Sequence, residues 1–402
     1  MRIRVIDYIG NEGGGVRFSV ELLRALTELG DARVEFVGHG ASLAIYRRLL
    51  GPSALRCEFT DVPPGVSKGG WRFDVPRAAL DGCDVAWLPW VHRHRLPDGD
   101  VSHVVGSFHD AIMLAEPTVR EIFERHIPDE WETTRRWLES GARVVVSSRA
   151  TVDTVARLFG VAAERLDVVP VSGAHTPAEA AALPAEWGWA ERPFVLCPAN
   201  ISPHKNHEAL FRGVAAWGAR HPLVLTGSGA DLPSSRRFLK RQLRTVLERV
   251  GALPRTRATH LRWLATRLGL QPGRSLVPVG YVPDDRYYAL LRRAWALVMP
   301  TFAEGGGSFP VEEALWFGVP VICADIPVLR EHMARIAASV LWFDPRNPDE
   351  LAARLAELEG SYADRRALAA AQIHTLRRRA WSDVAAEYRS IFSAAGSPPV
   401  PR

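Results

Sequence analysis

The stretch EGGGSFPVEEALWFGVPV, which starts at Glu304, sets three consecutive glycines among three glutamates. Glycine lets backbone N–H groups approach an anion closely, whereas a carboxylate repels one. A ligand with both phosphates and hydroxyl groups would reconcile the two, because the amides would hold the phosphates while the carboxylates held the hydroxyls. The residues that follow Glu304 therefore predict a site for such a ligand.

The glycines lead into a predicted helix from Phe309 to Phe317. Ser308 is suited to the N-cap, proline is tolerated in the first turn, and Gly318 ends the helix. Backbone amides that precede a helix form, together with the helix dipole, a cradle for anions. The predicted cradle comprises Gly305, Gly306, Gly307, Ser308 and Phe309.

Two adjacent glutamates, Glu312 and Glu313, lie on this predicted helix. Successive helical residues point about 100° apart, so the two carboxylates cannot both face one ligand. Helical phase alone leaves the choice between them open, because Val311, Ala314 and Leu315 are expected on the opposite, apolar face.

A lysine stands at a second strand-to-helix junction, in CPANISPHKNHEAL. The ammonium group of Lys205 adds positive charge to a helix N-terminus. There it would stabilise the negative charge that develops on a diphosphate leaving group. Lys205 is therefore a candidate for diphosphate binding.

Two further candidates follow strands in the first half of the chain. His109, in SFHDAIML, would hydrogen-bond a substrate hydroxyl or transfer a proton, and a structural role is the alternative. Gly13, Gly14 and Gly15 follow the first strand and open a helix, which suits a phosphate or sugar contact, although a merely tight turn remains an alternative. A dinucleotide fingerprint is incomplete, because the second strand ends EFVGHG, without a carboxylate for a ribose.

Composition excludes several classes of protein. The chain has 402 residues, 47% hydrophobic and 24% charged, which is typical of a globular protein with two domains. The sequence lacks an apolar run long enough to span a membrane, and its first residues predict a strand rather than a signal peptide, so a cytoplasmic location is expected. The four scattered cysteines predict buried free thiols, and the H-x-H of His92 and His94 lacks a third metal ligand.

The order of the predicted elements indicates an α/β fold with two domains. Short β-branched runs alternate with amphipathic segments as far as LDVVPV, and the Ala-, Pro- and Trp-rich stretch from His175 to Pro193 is predicted to be a linker. Five more strand-like runs, from FVLCPAN to VPVICAD, predict a second parallel sheet. We therefore expect two Rossmann-like, doubly wound domains facing across a cleft, with ligands at the carboxyl ends of the strands.

A basic segment interrupts the second domain. Residues 234–274 carry eleven Arg or Lys residues against a single acidic one, Glu248, with leucines at roughly helical spacing. One interpretation is a helical insertion with a solvated basic face, and the other is a surface for an anionic acceptor, a membrane or a partner. The net charge of +5 suits acidic ligands or anionic lipid surfaces without identifying either.

With these residues assembled, the sequence resembles the nucleotide-sugar glycosyltransferases of family 4, which have the GT-B fold. The resemblance covers nearly the whole chain and is strongest from PHKNHEAL through GYVPDDRYYALL to FAEGGGSFPVEEALWFGVPVICADIPVLRE. It implies an acceptor-binding domain at 1–180, a donor-binding domain at 181–378, and a C-terminal helix and tail at 379–402 that return to the first domain. The family typically transfers a sugar with retention of anomeric configuration and without a metal ion.

The resemblance assigns distinct roles to the charged candidates. Glu304 would lie near the donor sugar and Lys205 at the diphosphate, while the family's second glutamate would hold the donor ribose. A strict count of the family spacing from Glu304 ends on Glu312, but the surrounding proline, alanine and glycine align only if the second glutamate is Glu313. We therefore assign Glu313 to the ribose and expect a glycine loop one residue longer than in relatives.

Other positions follow from the same resemblance. Gly14 and Gly15 match the family's glycines in the first domain, and His109 matches the histidine that contacts the sugar. Val282, in GYVP, stands where the nucleotide base usually packs. Asn200 stands where many relatives carry an arginine five residues before the lysine, so Lys205 and backbone dipoles must supply more of the charge.

The resemblance therefore implies a retaining glycosyltransferase that moves a hexose or deoxyhexose from a nucleoside-diphosphate sugar to a hydroxyl of a sugar, a lipid-linked sugar or a small molecule. Glu304, His109 and Lys205 are its predicted catalytic residues. The H-K-N form of the lysine loop favours a mannose- or deoxyhexose-type donor and a role in polysaccharide or glycoconjugate biosynthesis. The alternatives are a sugar-nucleotide epimerase or a sugar phosphorylase of the same fold, and a non-catalytic sugar-nucleotide-binding protein.

The expected partners are a sugar-nucleotide donor and a hydroxyl acceptor. We expect no metal ion, no other cofactor and no nucleic-acid partner. Peripheral contact with an anionic membrane at its inner face, through residues 234–274, is an open alternative, as are a monomer and a homodimer.

Overall fold

The structure is a computed structural model that describes residues 1–10, 14–66, 72–173, 182–232 and 256–395. The chain divides into two compact units. The first comprises Met1–Ala174, Gly305–Gly307 and Arg378–Arg402, and the second comprises His175–Glu304 and Ser308–Arg377. The three glycines, which lie within the predicted domain 181–378, group with the first unit because their backbone packs against residues of that unit.

The first unit is built on one large sheet and one small one. Its strands are β1 (Arg2–Ile6), β2 (Arg33–Gly38), β3 (Cys57–Asp61), β4 (Gly65–Val66), β5 (Phe73–Asp74), β6 (Val85–Leu88), β7 (His94–Arg95), β8 (Val104–Phe108), β9 (Arg143–Val146) and β10 (Leu166–Val168). The large sheet has the order β10-β9-β8-β6-β1-β2-β3 and its neighbouring strands are parallel. The chain thus winds outward from β1 in both directions, as in a doubly wound sheet.

Helices cover this sheet. They are α1 (Gly14–Glu28), α2 (Ala41–Leu50), α3 (Arg77–Leu80), α4 (Ile112–Ala115), α5 (Pro117–Ile122), α6 (Ile127–Glu139) and α7 (Arg149–Phe159). In α1 the spacing of Val16, Val20 and Leu23 places apolar side chains on one face, and all three are buried.

The second unit repeats the arrangement with six parallel strands. They are β11 (Val195–Pro198), β12 (Leu223–Thr226), β13 (Leu276–Gly280), β14 (Ala296–Met299), β15 (Val321–Ala324) and β16 (Leu341–Phe343), in the order β13-β12-β11-β14-β15-β16. Its helices are α8 (His207–Ala216), α9 (Arg257–Arg267), α10 (Asp284–Arg293), α11 (Phe309–Trp316), α12 (Pro327–Ile336), α13 (Pro348–Gly360) and α14 (Tyr362–Gln372). Strands β14 and β15 are buried along their whole length, as expected for a parallel sheet with both faces covered.

The last helix, α15 (Trp381–Ala395), belongs to the first unit, where it contacts α1, β6 and β8. The hydroxyl of Tyr388 lies 2.8 Å from Oγ of Ser107 on β8, and both residues are buried. The long return of the chain thus completes the core of the first unit.

The predicted α/β class with two parallel sheets is confirmed. The predicted strands all occur but are shorter than their apolar runs, whereas the edge strands β3 and β16 and the small sheet of β4, β5 and β7 were not predicted. Short edge strands carry little periodic signal, because only one neighbour constrains their side chains. Residues 175–181 of the predicted linker and 234–255 of the basic segment lie outside the described residues.

Candidate functional site

In the second unit, the two catalytic candidates Lys205 and Glu304 form an ion pair. Lys205 ends a short 3-10 turn after β11, and its Nζ donates to Oε1 of Glu304 at 2.6 Å. The two side chains are 18% and 10% exposed, which allows a ligand to reach them. The pair joins residues 99 positions apart, at the carboxyl ends of the neighbouring strands β11 and β14.

Asn206 fixes the turn that carries Lys205. Its backbone has φ of 50°, a left-handed conformation that asparagine tolerates, and its side chain accepts from the amide of Ala209 as the N-cap of α8. The same side chain donates to the carbonyls of Pro300 and Pro345 at 3.0 and 2.8 Å. Sequence reasoning missed this role, although an asparagine before a helix is a recognisable capping signal.

The loop before Glu304 is tied to the same turn. The Thr301 hydroxyl and the Phe302 amide both donate to the carbonyl of His204, at 3.0 and 2.7 Å. Thr301 is fully buried, so these hydrogen bonds are shielded from water. They hold Glu304 close to Lys205.

Two other donor-site candidates follow strands of the same sheet, Asn200 after β11 and Val282 after β13. Asn200 is exposed after β11, and its Oδ1 accepts from the amide of Ser202 at 3.0 Å. Val282, just after β13, is partly buried against the core, while its neighbour Tyr281 is 65% exposed.

Glu313 is held by two tyrosines of α10. Its carboxylate accepts from the hydroxyls of Tyr287 and Tyr288 at 2.7 and 3.1 Å, and its exposure is only 1%.

Glu312 faces a different partner. Its Oε2 lies 2.8 Å from Nε2 of His332 on α12, and Nδ1 of the same ring accepts the amide of Ser308 at 3.1 Å. Glu312, Ser308 and His332 are all buried. Sequence reasoning missed His332, which lies 20 residues beyond Glu312 with no spacing signal to connect them.

Two details of the predicted helix are therefore corrected. Ser308 occupies the N-cap position as predicted, but within the described part of the chain its hydroxyl makes no capping hydrogen bond to α11, and its amide bonds His332. Val311, Ala314 and Leu315 are buried as expected, but Glu312 and Glu313 are buried as well. The helix is enclosed on both sides, and its buried residues are Val311, Glu312, Glu313, Ala314 and Leu315.

The glycine loop makes its contacts within the first unit. The carbonyl of Gly305 accepts from the hydroxyls of Ser148 and Thr151 at 2.7 and 2.9 Å. A Cβ on Gly305 would lie 2.0 Å from the carbonyl oxygen of His109, and Gly307 has φ of 130°, which favours glycine. Among the described residues, the amides of Gly306 and Gly307 have no hydrogen-bond partner, as an anion cradle requires.

His109 follows β8 in the first unit and is neutral. Its Nε2 donates to the carbonyl of Pro89 at 2.7 Å, and its ring packs against Trp90 and Phe18. Burial lowers the pKa of His109 to about 4, so Nδ1 keeps its lone pair near neutral pH. Such a nitrogen accepts a hydrogen bond from a hydroxyl but is a poor proton donor.

Of the N-terminal glycines, Gly15 lies beside Trp90, whose ring packs against His109. Helix α1 begins at Gly14, and a Cβ on Gly15 would lie 1.5 Å from the indole ring of Trp90. Gly15 therefore allows Trp90 to pack against both α1 and His109. Gly13 lies outside the described residues.

Metal ligands do not converge on the H-x-H. Nδ1 of His92 bonds Glu130 at 2.5 Å, whereas Nδ1 of His94 donates to the carbonyl of Trp90. In the described ranges there is no group of three His, Cys, Asp or Glu side chains that could hold a metal ion. The four cysteines, all of them in described ranges, are free, and three are buried as predicted. None of the helices in the described ranges is long and apolar enough to cross a membrane.

The sequence of the second unit matches a known family. Residues 181–374 fit the family model described as Glycosyl transferases group 1. A curated relative is the O-antigen chain mannosyltransferase B of Escherichia coli, 25% identical over 279 residues, which are 65% of this chain. The matched part spans 61% of that relative's length.

Solved structures share the whole fold at low sequence identity. Anabaena HepE, solved in complex with UDP and glucose, has a TM-score of 0.66 and 16% identity, over 98% of this chain and 100% of that one. The sucrose-phosphate synthase of Thermosynechococcus elongatus has a TM-score of 0.65 and 16% identity, over 98% and 99% of the two chains. At such identities the likeness concerns the fold alone.

Proposed function

We propose that the chain transfers a hexose or deoxyhexose from a nucleoside-diphosphate sugar to an acceptor hydroxyl, with retention. The premise is that residues 181–374 match the family model of the group 1 glycosyltransferases and that the chain has the GT-B fold. The observation that carries the proposal is the Lys205–Glu304 pair. A cation for the diphosphate and a carboxylate for the sugar lie 2.6 Å apart, inside the region that matches the family.

The pair suits a diphosphate leaving group. An ammonium has three donors, so Lys205 is able to bind a phosphate oxygen while it keeps one hydrogen bond to Glu304. Its charge offsets the negative charge that grows on the phosphate as the anomeric C–O bond breaks. The amides of Gly306 and Gly307, which have no hydrogen-bond partner among the described residues, are proposed as further donors for phosphate oxygens.

Retention requires that the acceptor oxygen bond the anomeric carbon on the face that the diphosphate leaves. We propose that the acceptor's proton passes to the departing phosphate oxygen, so a separate base is not needed. Glu304 would orient the sugar, and Glu313 would hold the ribose with its carboxylate oriented by Tyr287 and Tyr288. The neutral ring of His109 would accept a hydrogen bond from a sugar hydroxyl.

The donor sugar is proposed to be of mannose or deoxyhexose type, in line with the lysine loop and with the mannosyltransferase relative. HepE was solved with UDP and with UDP-glucose, which supports a nucleoside-diphosphate sugar as the donor. The absence of a metal requirement, the cytoplasmic location, the membrane contact and the oligomeric state stay predictions.

Binding and turnover assays test the proposal. We expect one of UDP, GDP, dTDP or ADP to raise the melting temperature, and the matching sugar nucleotide to release that nucleotide only when an acceptor is present. Lys205→Ala and Glu313→Ala should each lower turnover about 100-fold or more, because each removes a charged group from the donor site. Arg293→Ala, which removes only an exposed ion pair with Glu191, is the control.

Three results would contradict the proposal. Formation of an epimer without an acceptor would indicate the epimerase instead, and release of a sugar phosphate on addition of inorganic phosphate would indicate the phosphorylase. Near-normal turnover in both Lys205→Ala and Glu313→Ala would show that the donor site lies elsewhere.

A further inference from the structure

A buried histidine links the start of α11 to the first glutamate of the tandem pair. The amide of Ser308 lies 3.1 Å from Nδ1 of His332, and Nε2 of that ring lies 2.8 Å from Oε2 of Glu312. Exposure of the three residues is 5%, 2% and 2%, so the hydrogen bonds are shielded from solvent. Both nitrogens of His332 are therefore engaged inside the second unit.

The chemistry of the two bonds defines the tautomer. A backbone amide only donates, so Nδ1 of His332 must carry a lone pair rather than a proton. The proton then resides on Nε2, which donates to the carboxylate of Glu312. Each ring nitrogen has one partner, and the two contacts together require a side chain with an acceptor at one position and a donor at the other.

The two bonds close a ring around the first turn of α11. The amide of Glu312 donates to the carbonyl of Ser308 at 3.2 Å, so these residues are joined once through the backbone and once through His332. A carboxylate in the first turn also suits the positive end of the helix dipole. The N-cap residue is held by the side chain of another helix rather than by its own hydroxyl.

We propose that His332 and Glu312 are positioning residues that hold the N-terminus of α11 in the geometry required for donor binding. This inference rests on the proposed function. Glu304 precedes Ser308 by four residues, so anchoring the Ser308 amide restricts the chain that carries Glu304. The amide of Ser308 already bonds His332, so it is not a donor for an anion in the predicted cradle, and Ser308 only helps to position the neighbouring amides.

Substitutions of His332 separate the two bonds. Asparagine places its Oδ1 near the position of Nδ1 and keeps an acceptor for Ser308, but it leaves Glu312 buried without a partner. Glutamine places its amide near Nε2 and keeps a donor for Glu312, but it loses the acceptor for Ser308. Phenylalanine keeps the volume and loses both.

The dissociation constant of the best-binding nucleotide, measured by calorimetry, and the melting temperature test the proposal together. We expect His332→Phe and His332→Gln to weaken nucleotide binding about tenfold, the effect of one buried hydrogen bond. His332→Asn should bind nearly as tightly as the wild type although it melts earlier, because an unpaired buried carboxylate is costly. The KM for the acceptor should be unchanged in all three variants.

A purely structural role gives a different pattern. If the dissociation constants followed the melting temperatures, with His332→Asn binding more weakly than His332→Gln, the positioning role would be overturned. The control is His221→Phe, a half-buried histidine that packs on Trp217 and Trp295 before β12 and should bind nucleotide normally. A wild-type protein that binds none of the four nucleotides would contradict the proposed function itself, and with it the premise of this inference.

Discussion

At the scale of single residues, the partners of the three glutamates decide what each carboxylate does. Glu304 pairs with a partly exposed ammonium group, so a ligand is able to reach it. Glu312 pairs with an imidazole and Glu313 with two phenols, and both are almost fully buried. Three identical side chains within ten residues thus differ in burial and in partner, because a different element of the fold contacts each of them.

Another buried carboxylate, Asp7, carries a pH prediction for the first unit. Asp7 accepts from the hydroxyl of Tyr46 and the amide of Ile9, yet burial raises its pKa from 3.8 to about 6. The folded protein then holds this proton more tightly than the unfolded chain. The stabilisation is full below pH 4, is lost as the pH rises to 6, and amounts to at most about 3 kcal/mol.

The test compares urea unfolding of the wild type and Asp7→Asn between pH 4.5 and 7.5. We expect the free energy of unfolding of Asp7→Asn, relative to the wild type, to rise up to pH 6 and then level off. Tyr46→Phe removes a hydrogen bond that lowers the pKa of Asp7, so its transition should move to higher pH. Parallel curves for the wild type and Asp7→Asn would refute this account.

At the scale of elements, glycines mark where a helix or loop approaches other groups without room for a side chain. Gly15 brings the first turn of α1 against the ring of Trp90, and Gly305 brings its loop against the carbonyl of His109. Gly307 differs, because its φ rather than its surroundings favours glycine. The two glycine-rich stretches therefore have packing roles in addition to any anion contact.

A pair of glycine substitutions tests the packing role. Gly15→Ala would place its Cβ 1.5 Å from the indole of Trp90, and the same ring packs on His109. We expect a loss of about 1–3 kcal/mol in the free energy of unfolding, because a tightly packed ring must move. The same substitution at Gly360, whose Cβ would meet nothing within 4 Å among the described residues, should be neutral or slightly stabilising. Equal melting temperatures for both variants would rule out the packing role.

At the scale of the whole molecule, the chain leaves the first unit and returns to it. Arg378–Arg402 groups with the first unit, and α15 buries Val384, Tyr388 and Phe392 there. Trp87 of β6 packs edge-on against Tyr388 and donates to the same Ser107 hydroxyl that Tyr388 contacts. The N-terminal stretch alone is therefore an incomplete folding unit.

Removal of the returning segment tests that conclusion. A protein truncated after Arg377 should lose cooperative unfolding of the first unit, because the apolar surface beneath α15 becomes exposed. In the full chain, Tyr388→Phe should cost about 1 kcal/mol, the value of a buried hydrogen bond. Arg389 lies on the same helix as Tyr388 and forms an exposed ion pair with Asp31. Arg389→Ala should therefore cost less than about 1 kcal/mol. A truncated protein that melts like the wild type would contradict the prediction.

The sequence by itself determined the two parallel sheets, the helix after the glycine loop, and the candidates Lys205 and Glu304, because hydrophobic period, strand ends and turn residues are local signals. Only the tertiary structure decided that Lys205 pairs with Glu304 and that His332 holds Ser308. Those partners lie 99 and 24 residues apart, on separate elements that come together only when the sheet forms. Local sequence patterns determine which segments become helices and strands. A buried polar group needs a hydrogen-bond partner, and the packing of elements that are distant in sequence decides which partner it meets.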